Sequence, residues 1–297
     1  MATLYDNINA NKRNSTFLII IVLVIVIGVV GLYSFAVRGD FVLPVIAAII
    51  AIPSSLIGYY KGDAIALATN KAKHVQREAA PELYRLVENL SITAGIPAPK
   101  IHVIESPALN AFATGRDPEH ASMAVTTGLI SKLDRAELEG VLAHELGHVK
   151  NYDIRFATLV AIFVGFLVIL SDMFLRVTFW GGGRSSNDRN SGQLGAILAI
   201  VGLVLLIISP IIAKLMQLAI SRQREYLADG SAALLTRHPE ALASALEKIG
   251  AGPELKTAGN ATAHLFIANP FKKKSFSHLF STHPPIDERI RRLRSTA

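Results

Sequence analysis

The chain has 297 residues, of which 51% are hydrophobic and only 18% are charged, and its formal net charge is +7. Soluble domains average about 25% charged residues, so the composition favours contact with a lipid bilayer. No nucleic-acid-binding signature accompanies the positive charge, and the absence of cysteine excludes disulfide bonds and thiolate metal ligands. Basic runs near the C-terminus, such as RIRRLR, are interpreted as solvated charge facing an anionic membrane surface.

Two apolar segments come first in the chain. Residues 17–37 and 41–60 contain 21 and 20 residues without a charge, and about 20 residues are needed to cross the hydrocarbon of a bilayer. Only three residues separate them, so we expect an antiparallel transmembrane hairpin. The first segment is too long for a cleaved signal peptide, whose apolar part has about 7–15 residues.

Two further apolar segments lie in the second half of the chain. Residues 194–213 are predicted to cross the membrane, and residues 156–171, which are only 16 long and end at Asp172, are predicted to provide the return path. A pair of helices lying in the membrane interface is the alternative. The Gly-rich stretch 181–192 is predicted to connect these two segments. The lysines and arginines around the first hairpin predict that both termini and residues 61–155 lie in the cytosol.

The region after the first hairpin has the pattern of a soluble domain. Apolar positions recur with helical periodicity over residues 78–94. Three short β-branched or aromatic runs, KIHVIES, NAFATG and ASMAVTTG, are divided by Pro, Asn and Gly and are predicted to form three strands.

The next predicted helix carries the sequence HELGH. Asp134 and Glu137 have the spacing of a capping box at its N-terminus. His144 and His148 are four residues apart and therefore share one face of the helix. With Glu145 between them they form the H-E-x-x-H arrangement of zinc proteases, in which two imidazoles bind the ion and the glutamate acts as base. An ordinary helix surface that contains two imidazoles is the alternative.

A catalytic zinc ion needs a third protein ligand. A metzincin would have glycine and histidine where Asn151 and Ile154 stand, and cysteine is absent. Glu225 and Asp229, four residues apart in SRQREYLADG, remain. The natural division of roles has Glu225 on the metal and Asp229 accepting the outer N–H of a ligand histidine. A solvated acidic pair is the alternative reading.

Several motifs together resemble one known family. HELGH, SRQREYLADG and the tail LFIANPF…STHPPIDERIRRL are similar to those of the HtpX membrane zinc metalloproteases, relatives of the CAAX prenyl endoprotease. The resemblance implies a multi-pass endopeptidase of the bacterial inner membrane with its catalytic part and both termini in the cytosol. It also implies a role in quality control, with unfolded or membrane proteins as substrates, the lipid bilayer as a partner and no nucleic acid.

The expected fold is an α+β membrane protein. Four hydrophobic, transmembrane helices accompany a mainly helical zincin-like domain of the gluzincin type with a small β-sheet. Residues 1–60 would form the N-terminal hairpin, residues 61–155 and 214–297 the two catalytic parts, and residues 156–213 the third and fourth hydrophobic segments.

The resemblance also implies residue roles at the metal site. His144, His148 and Glu225 would bind one zinc ion per subunit, and Glu145 would take a proton from the zinc-activated water. Asp153 is expected to cap or orient a neighbour rather than to catalyse.

A second stabiliser is expected for the oxyanion that develops during hydrolysis. The resemblance of the tail makes His283 in STHPP the candidate, although a loop histidine beside two prolines is an equal alternative. Arg222 and Arg224 could also supply positive charge, but arginines next to a membrane helix are more often lipid anchors. His264 is interpreted as an ordinary residue.

Substrate is expected to bind as an extended strand at an edge of the small sheet. In relatives this edge corresponds to NAFATG, so Asn110, Ala111 and Phe112 are the predicted contacts. The alternative is that these residues only fill the strand.

Two rival functions are weaker. An intramembrane metalloprotease conflicts with the four charged residues just before HELGH, because charges do not enter hydrocarbon readily. A non-enzymatic membrane adaptor with a structural zinc site conflicts with Glu145, since a structural site has no use for a base at that position.

Overall fold

The computed structural model describes residues 4–38, 42–165, 222–255, 258–259, 261–271 and 284–295. This part of the chain is mainly helical with one small mixed sheet. The helices are α1 (Leu4–Arg38), α2 (Val42–Thr69), α3 (Pro81–Ala94), α4 (Thr127–Lys132), α5 (Arg135–Lys150), α6 (153–165), α7 (Arg222–Thr236), α8 (Pro239–Ala251) and α9 (Ile286–Arg294). The strands are β1 (Lys73–His74), β2 (Lys100–Ile104), β3 (Ala111–Gly115) and β4 (Ala121–Thr126).

The two segments of the predicted hairpin are helical and pack against each other as α1 and α2. Within the described ranges, however, no helix combines the length and the hydropathy that a membrane span requires. The predicted crossing by residues 17–37 and 41–60 therefore stays a prediction. Residues 156–165 form most of α6, while the rest of that segment, the connector 181–192 and the segment 194–213 lie outside the described residues.

Three predicted strands form the sheet, together with the two-residue strand β1. The strand order is β1-β2-β4-β3, with β2 and β4 parallel and the other pairs antiparallel. Every residue of β3 and β4 is buried, because α5 packs against β3 and α2 packs against both strands. The sheet thereby fixes the position of β3 beside α5.

Helix α5 passes through the main hydrophobic core and is buried along most of its length. Its side chains Val141, Leu142 and Leu146 have no exposed surface. At Gly140 a Cβ atom would lie 3.1 Å from the backbone of Leu242 in α8, so this glycine permits the close contact of the two helices. HELGH is therefore held on a rigid, packed element.

The predicted capping box at the start of α5 is confirmed. Glu137 N–H donates to Asp134 Oδ1 at 2.9 Å, and Asp134 N–H donates to Glu137 Oε2 at 2.8 Å. The buried Glu137 carboxylate also accepts from Ser244 Oγ and Lys248 Nζ of α8, both at 2.6 Å. The same carboxylate thus caps α5 and joins it to α8.

Substituting Glu137 with glutamine is expected to destabilise the fold by about 1–3 kcal/mol at pH 7, because a hydrogen-bonded ion pair is lost. Burial alone would raise the pKa of Glu137, but the hydrogen bonds from Lys248 and Ser244 lower it below its usual 4.5. A carboxyl group with a lowered pKa stabilises the fold above its unfolded-state pKa and loses that effect as the pH falls below it. The difference in unfolding free energy between the two proteins should therefore shrink at pH 3.

Chemical unfolding at the two pH values measures this effect. Glu139→Gln, at a half-buried position of the same helix, is the matched control and should lose little stability. An equal loss in both variants, or no change with pH, would contradict the assigned role of Glu137.

Candidate active site

Helices α5 and α7 bring the predicted ligands together. His144 and His148 face each other with perpendicular rings, and their Nε2 atoms are 3.2 Å apart. Glu225, near the start of α7, places Oε2 at 3.8 Å from His144 Nε2 and Oε1 at 3.6 Å from His148 Nε2. The contact between HELGH and the second acidic motif is therefore present in the structure.

The three ligand atoms have the spacing of a metal site. Two ligands on a tetrahedral zinc ion, with bonds of about 2.0–2.1 Å, lie about 3.3 Å apart. The candidate ligand atoms of His144, His148 and Glu225 all lie within 4.8 Å of one another, and their shortest separations are 3.2–3.8 Å. Two imidazole nitrogens and one carboxylate oxygen are the ligands of several catalytic zinc sites, so these residues fit a single divalent cation.

A carboxylate supports each histidine from the outer side. His144 Nδ1 lies 2.9 Å from Asp229 Oδ1, and His148 Nδ1 lies 2.9 Å from Asp153 Oδ2. An imidazole that donates its Nδ1–H to a carboxylate keeps an unprotonated Nε2 available for a metal. The structure thus places Asp229 and Asp153 where they can orient the two ligands.

The two histidines differ in their electrostatic surroundings. Burial lowers the pKa of His144 to about 4, and the charge of Arg289 lowers it further. Burial also lowers the pKa of His148, but the hydrogen bond to Asp153 and the charge of Glu225 outweigh burial and raise it to about 9. Only the neutral form of an imidazole binds a metal ion, and the surroundings of His144 favour that form, whereas those of His148 favour the protonated form.

Glu145 lies beside the cluster and is almost fully buried. Its burial raises the pKa to about 7, against a smaller lowering effect of His148. The backbone N–H of Ala113 in β3 donates a hydrogen bond to its carboxylate. A carboxylate with a pKa near neutrality is suited to both accepting and returning a proton.

A small cavity of about 40 Å³ opens next to these groups. Its lining comes from β3, α5, α6, α7 and the segment 264–267. Glu145 and two members of the metal cluster, His148 and Glu225, contribute to this lining. The cavity is lined by Ala113, Glu145, His148, Asp153, Ile154, Ala157, Arg224, Glu225, His264, Leu265, Phe266 and Ile267.

Comparison with known proteins gives the family. The sequence model of peptidase family M48 matches residues 76–297, which include α5, α7 and α9. The chain belongs to peptidase family M48. It is therefore a metalloprotease, a hydrolase of peptide bonds, and the family implies a metal cofactor.

Relatives of this M48 peptidase cover nearly the whole chain. The protease HtpX homolog of Dictyoglomus turgidum is 45% identical over 294 residues, which cover 98% of this chain and 94% of the relative. The HtpX homologs of Caldanaerobacter subterraneus and Tropheryma whipplei are 45% and 46% identical, with 99% and 98% of this chain and 98% of each relative covered. The predicted resemblance to the HtpX family is confirmed.

One solved structure shows a similar fold. The crystal structure of S. mikatae Ste24p matches 95% of this chain with a TM-score of 0.50 and 21% sequence identity. The M48 peptidase spans 66% of the length of that protein. At this identity the similarity supports the fold of the described helices and sheet.

At the predicted substrate contacts Asn110, Ala111 and Phe112 the structure shows pairing within the chain, and their predicted role stays a prediction. The Ala111 carbonyl accepts a hydrogen bond from the Ile267 N–H at 2.9 Å, and Asn110 Nδ2 donates to the Ala268 carbonyl at 3.0 Å. Phe112 is fully buried. The chain segment 266–268 therefore pairs with this part of the sheet edge, and a substrate strand would have to displace it to bind there.

Only a short part of the β3 edge faces the cavity. Outward-facing residues alternate along a strand, so Ala111, Ala113 and Gly115 point their backbone groups towards this edge. Ala111 is paired with Ile267, and the Gly115 N–H donates to Thr158 Oγ1 at 3.2 Å. Ala113 lines the cavity between these two positions.

Arg289 of α9 contacts the acidic residues of the candidate metal site in this M48 peptidase. The basic tail that contains it was predicted to be solvated charge facing the membrane. The side chain is fully buried and donates to both carboxylate oxygens of Asp229, at 2.7 and 2.9 Å, and to the Ile267 carbonyl at 3.0 Å. Its Nη1 lies 3.6 Å from Glu225 Oε2. The sequence did indicate that Arg289 is buried, because it shares a helix face with the apolar Ile286, Ile290 and Leu293.

Three other predicted positions have different outcomes. Arg224 lines the cavity, with its guanidinium 5.4 Å from the centre of the Phe156 ring. His264, interpreted as an ordinary residue, also lines the cavity, and its Nε2 lies 2.9 Å from the Ala157 carbonyl. His283 lies outside the described residues, so its predicted role stays a prediction.

Proposed function

We propose that this M48 peptidase is a zinc-dependent endopeptidase with His144, His148 and Glu225 as metal ligands and Glu145 as general base. The observation that carries the proposal is the convergence of one ligand atom from each of the three residues to within 4.8 Å of one another. The raised pKa of Glu145 and the carboxylates behind both histidines support it.

In this mechanism the residues of the chain handle the proton and the geometry. Zinc bound at the site supplies Lewis acidity, which polarises the scissile carbonyl and makes water more acidic. Glu145 accepts the proton of the attacking water and then delivers it to the leaving nitrogen. Asp229 and Asp153 keep the two imidazoles in the tautomer that presents Nε2.

Substrate selection follows from the shape of the cavity. An extended polypeptide would meet the β3 edge at Ala113 and donate a hydrogen bond to its carbonyl, because the Ala113 N–H already donates to Glu145. Such contacts do not read side chains, which suits unfolded or membrane proteins as substrates. Arg224 at the cavity wall and His283 are candidates for stabilising the developing oxyanion.

A membrane location is part of the proposal. Large apolar side chains remain exposed along α1 and α2, and an apolar surface of this kind typically marks contact with lipid or protein. These residues are Phe17, Ile20, Ile21, Val24, Val45, Ile49, Ile52, Leu56 and Ile57. We place the enzyme in the bacterial inner membrane, with its catalytic parts in the cytosol and a role in protein quality control, on the resemblance to HtpX proteases.

Restoring zinc to the chelator-treated protein tests the proposal. The full chain in detergent should bind one zinc ion and then cleave casein, whereas the metal-free protein should not. Glu225→Ala should lower zinc affinity by at least about 10-fold and abolish cleavage, because one of three ligands is missing. Elemental analysis measures the zinc content, and casein fluorescence measures the cleavage.

The control is Glu82→Ala, an exposed carboxylate of α3, which should bind zinc and cleave casein as the unaltered protein does. Unchanged zinc content in Glu225→Ala would contradict the assigned ligand set. Zinc binding without casein cleavage in the unaltered protein would favour the alternative of a structural zinc site in a membrane adaptor.

A further inference from the structure

The first turns of α1 contact the metal site through one buried amide. Asn11 retains only 5% of its surface exposed. Its Nδ2 donates to the Asn151 carbonyl at 2.9 Å and to Asp153 Oδ1 at 2.6 Å. The other oxygen of Asp153, Oδ2, lies 2.9 Å from His148 Nδ1. A continuous hydrogen-bonded path therefore joins α1 to a candidate metal ligand.

The orientation of the Asn11 side chain is determined by its partners. Both groups at the amide nitrogen, a carbonyl and a carboxylate, can only accept hydrogen bonds in their ordinary states. The NH₂ group has to face them, because an amide oxygen in that position would face two acceptors. The contact is therefore a donation from Asn11 to Asp153.

Neighbouring residues hold this part of α1 against the turn between α5 and α6. Leu18, with 2% of its surface exposed, belongs to an apolar cluster with Phe156 and Leu159 of α6. The ammonium of Lys12 lies 4.2 Å from the centre of the Tyr152 ring. The docking of α1 thus has apolar contacts that are separate from the hydrogen bonds of Asn11.

A neutral donor suits this position chemically. Asp153 has two carboxylate oxygens, and a donor on Oδ1 limits the rotation that would carry Oδ2 away from His148. A cation at the position of Asn11 would form an ion pair and weaken Asp153 as a hydrogen-bond acceptor for the imidazole. The amide of Asn11 fixes the carboxylate and leaves its negative charge for His148.

We propose that Asn11 is a positioning residue of the metal centre, whose hydrogen bond to Asp153 holds that carboxylate against His148 and thereby raises the affinity for zinc. The inference rests on the proposed zinc site. It extends the functional unit beyond residues 76–297, the region that matches the M48 family, since α1 precedes that region. Loss of a group that orients a metal ligand typically costs about 10–100-fold in metal affinity.

Zinc dissociation constants of the full chain in detergent, measured by competition with a chelating dye, test the inference. Asp153→Ala should raise the dissociation constant about 10–100-fold, and Asn11→Leu, which keeps the branched shape but removes both N–H donors, should raise it about 3–10-fold. Asn11→Asp, which places a second carboxylate against Asp153, should raise it further. In an Asp153→Ala background, Asn11→Leu should have no additional effect, because the path is already broken.

Two controls separate positioning from general destabilisation. Ser15→Ala removes a buried hydroxyl one turn further along α1 whose hydrogen bond is to the Asn11 carbonyl, and it should leave zinc affinity unchanged. Leu18→Ala, which removes apolar contacts of α1 with α6 and leaves the hydrogen bonds of Asn11 in place, should lower the melting temperature without changing zinc affinity. Zinc affinity that follows the melting temperature across all variants, or independent effects of Asn11 and Asp153, would overturn the inference. Failure of the unaltered protein to bind zinc would instead refute the proposed function.

Discussion

Glu145→Gln is expected to lower kcat for peptide hydrolysis by about 10²–10⁴-fold, the usual contribution of a general base, while zinc binding stays close to that of the unaltered protein. Glutamine has the shape of glutamate, so the buried position of this side chain can accommodate it. The amide cannot accept the proton of the attacking water. The three ligand atoms belong to other residues, so the metal site should remain intact.

Casein cleavage and zinc content of the same preparation measure the two effects separately. Glu139→Gln is the control for loss of a carboxylate from α5, because Glu139 is half-buried and lies six residues before Glu145 on the same helix. Equal cleavage by Glu145→Gln and the unaltered protein would remove Glu145 from the mechanism. Joint loss of zinc and activity would show that its role is structural.

Arg289→Met is expected to destabilise the protein by about 3–5 kcal/mol, because removing one partner of a buried ion pair leaves the other charge without compensation. The carboxylate affected is Asp229, whose pKa is held at about 2, against the effect of its burial, by the charge of Arg289 and the hydrogen bond with His144. Zinc affinity should fall as well, since Asp229 would no longer be held against His144 Nδ1.

Three further variants make this test specific. Arg289→Lys should restore little, because an ammonium cannot donate to both oxygens of Asp229 as the planar guanidinium does. Combining Arg289→Met with Asp229→Asn should cost less stability than the sum of the single changes. Arg291→Met, at an exposed position of the same helix, should change the unfolding free energy by less than about 0.5 kcal/mol. Similar losses at positions 289 and 291 would contradict the burial argument.

The elements closest to the chemistry were predictable because they depend on local sequence rules. The four-residue spacing of His144 and His148 places them on one helix face, and the Asp134–Glu137 capping box marks where that helix begins. The helix α3 was expected from residue 78 but begins at Pro81, a residue that favours the first helical turn. The three predicted strands are present, whereas β1 has only two residues and no detectable pattern.

The contacts that the sequence analysis missed join residues far apart in the chain. Asn11 and Asp153 are 142 residues apart, Arg289 and Asp229 are 60 apart, and the bond from Asn110 to the segment 266–268 spans 158 residues. Neither helical periodicity nor strand alternation contains information about such pairs. An arginine in a basic tail and a polar residue before an apolar segment both look solvated until the partner surface is known.

The sequence alone contained the residue types of the candidate site, which are two imidazoles and a glutamate at helical spacing and a second acidic pair, and it determined the family resemblance that the comparisons confirm. Only the tertiary structure decided which charges are buried and which strand edge is open. Burial makes Arg289 a partner of Asp229, pairing with residues 266–268 closes the edge at Asn110–Phe112, and docking of α1 links Asn11 to His148. The physical reason is that ligand type and helical spacing are local properties of a chain, whereas desolvation and hydrogen-bond pairing depend on which distant segments pack together.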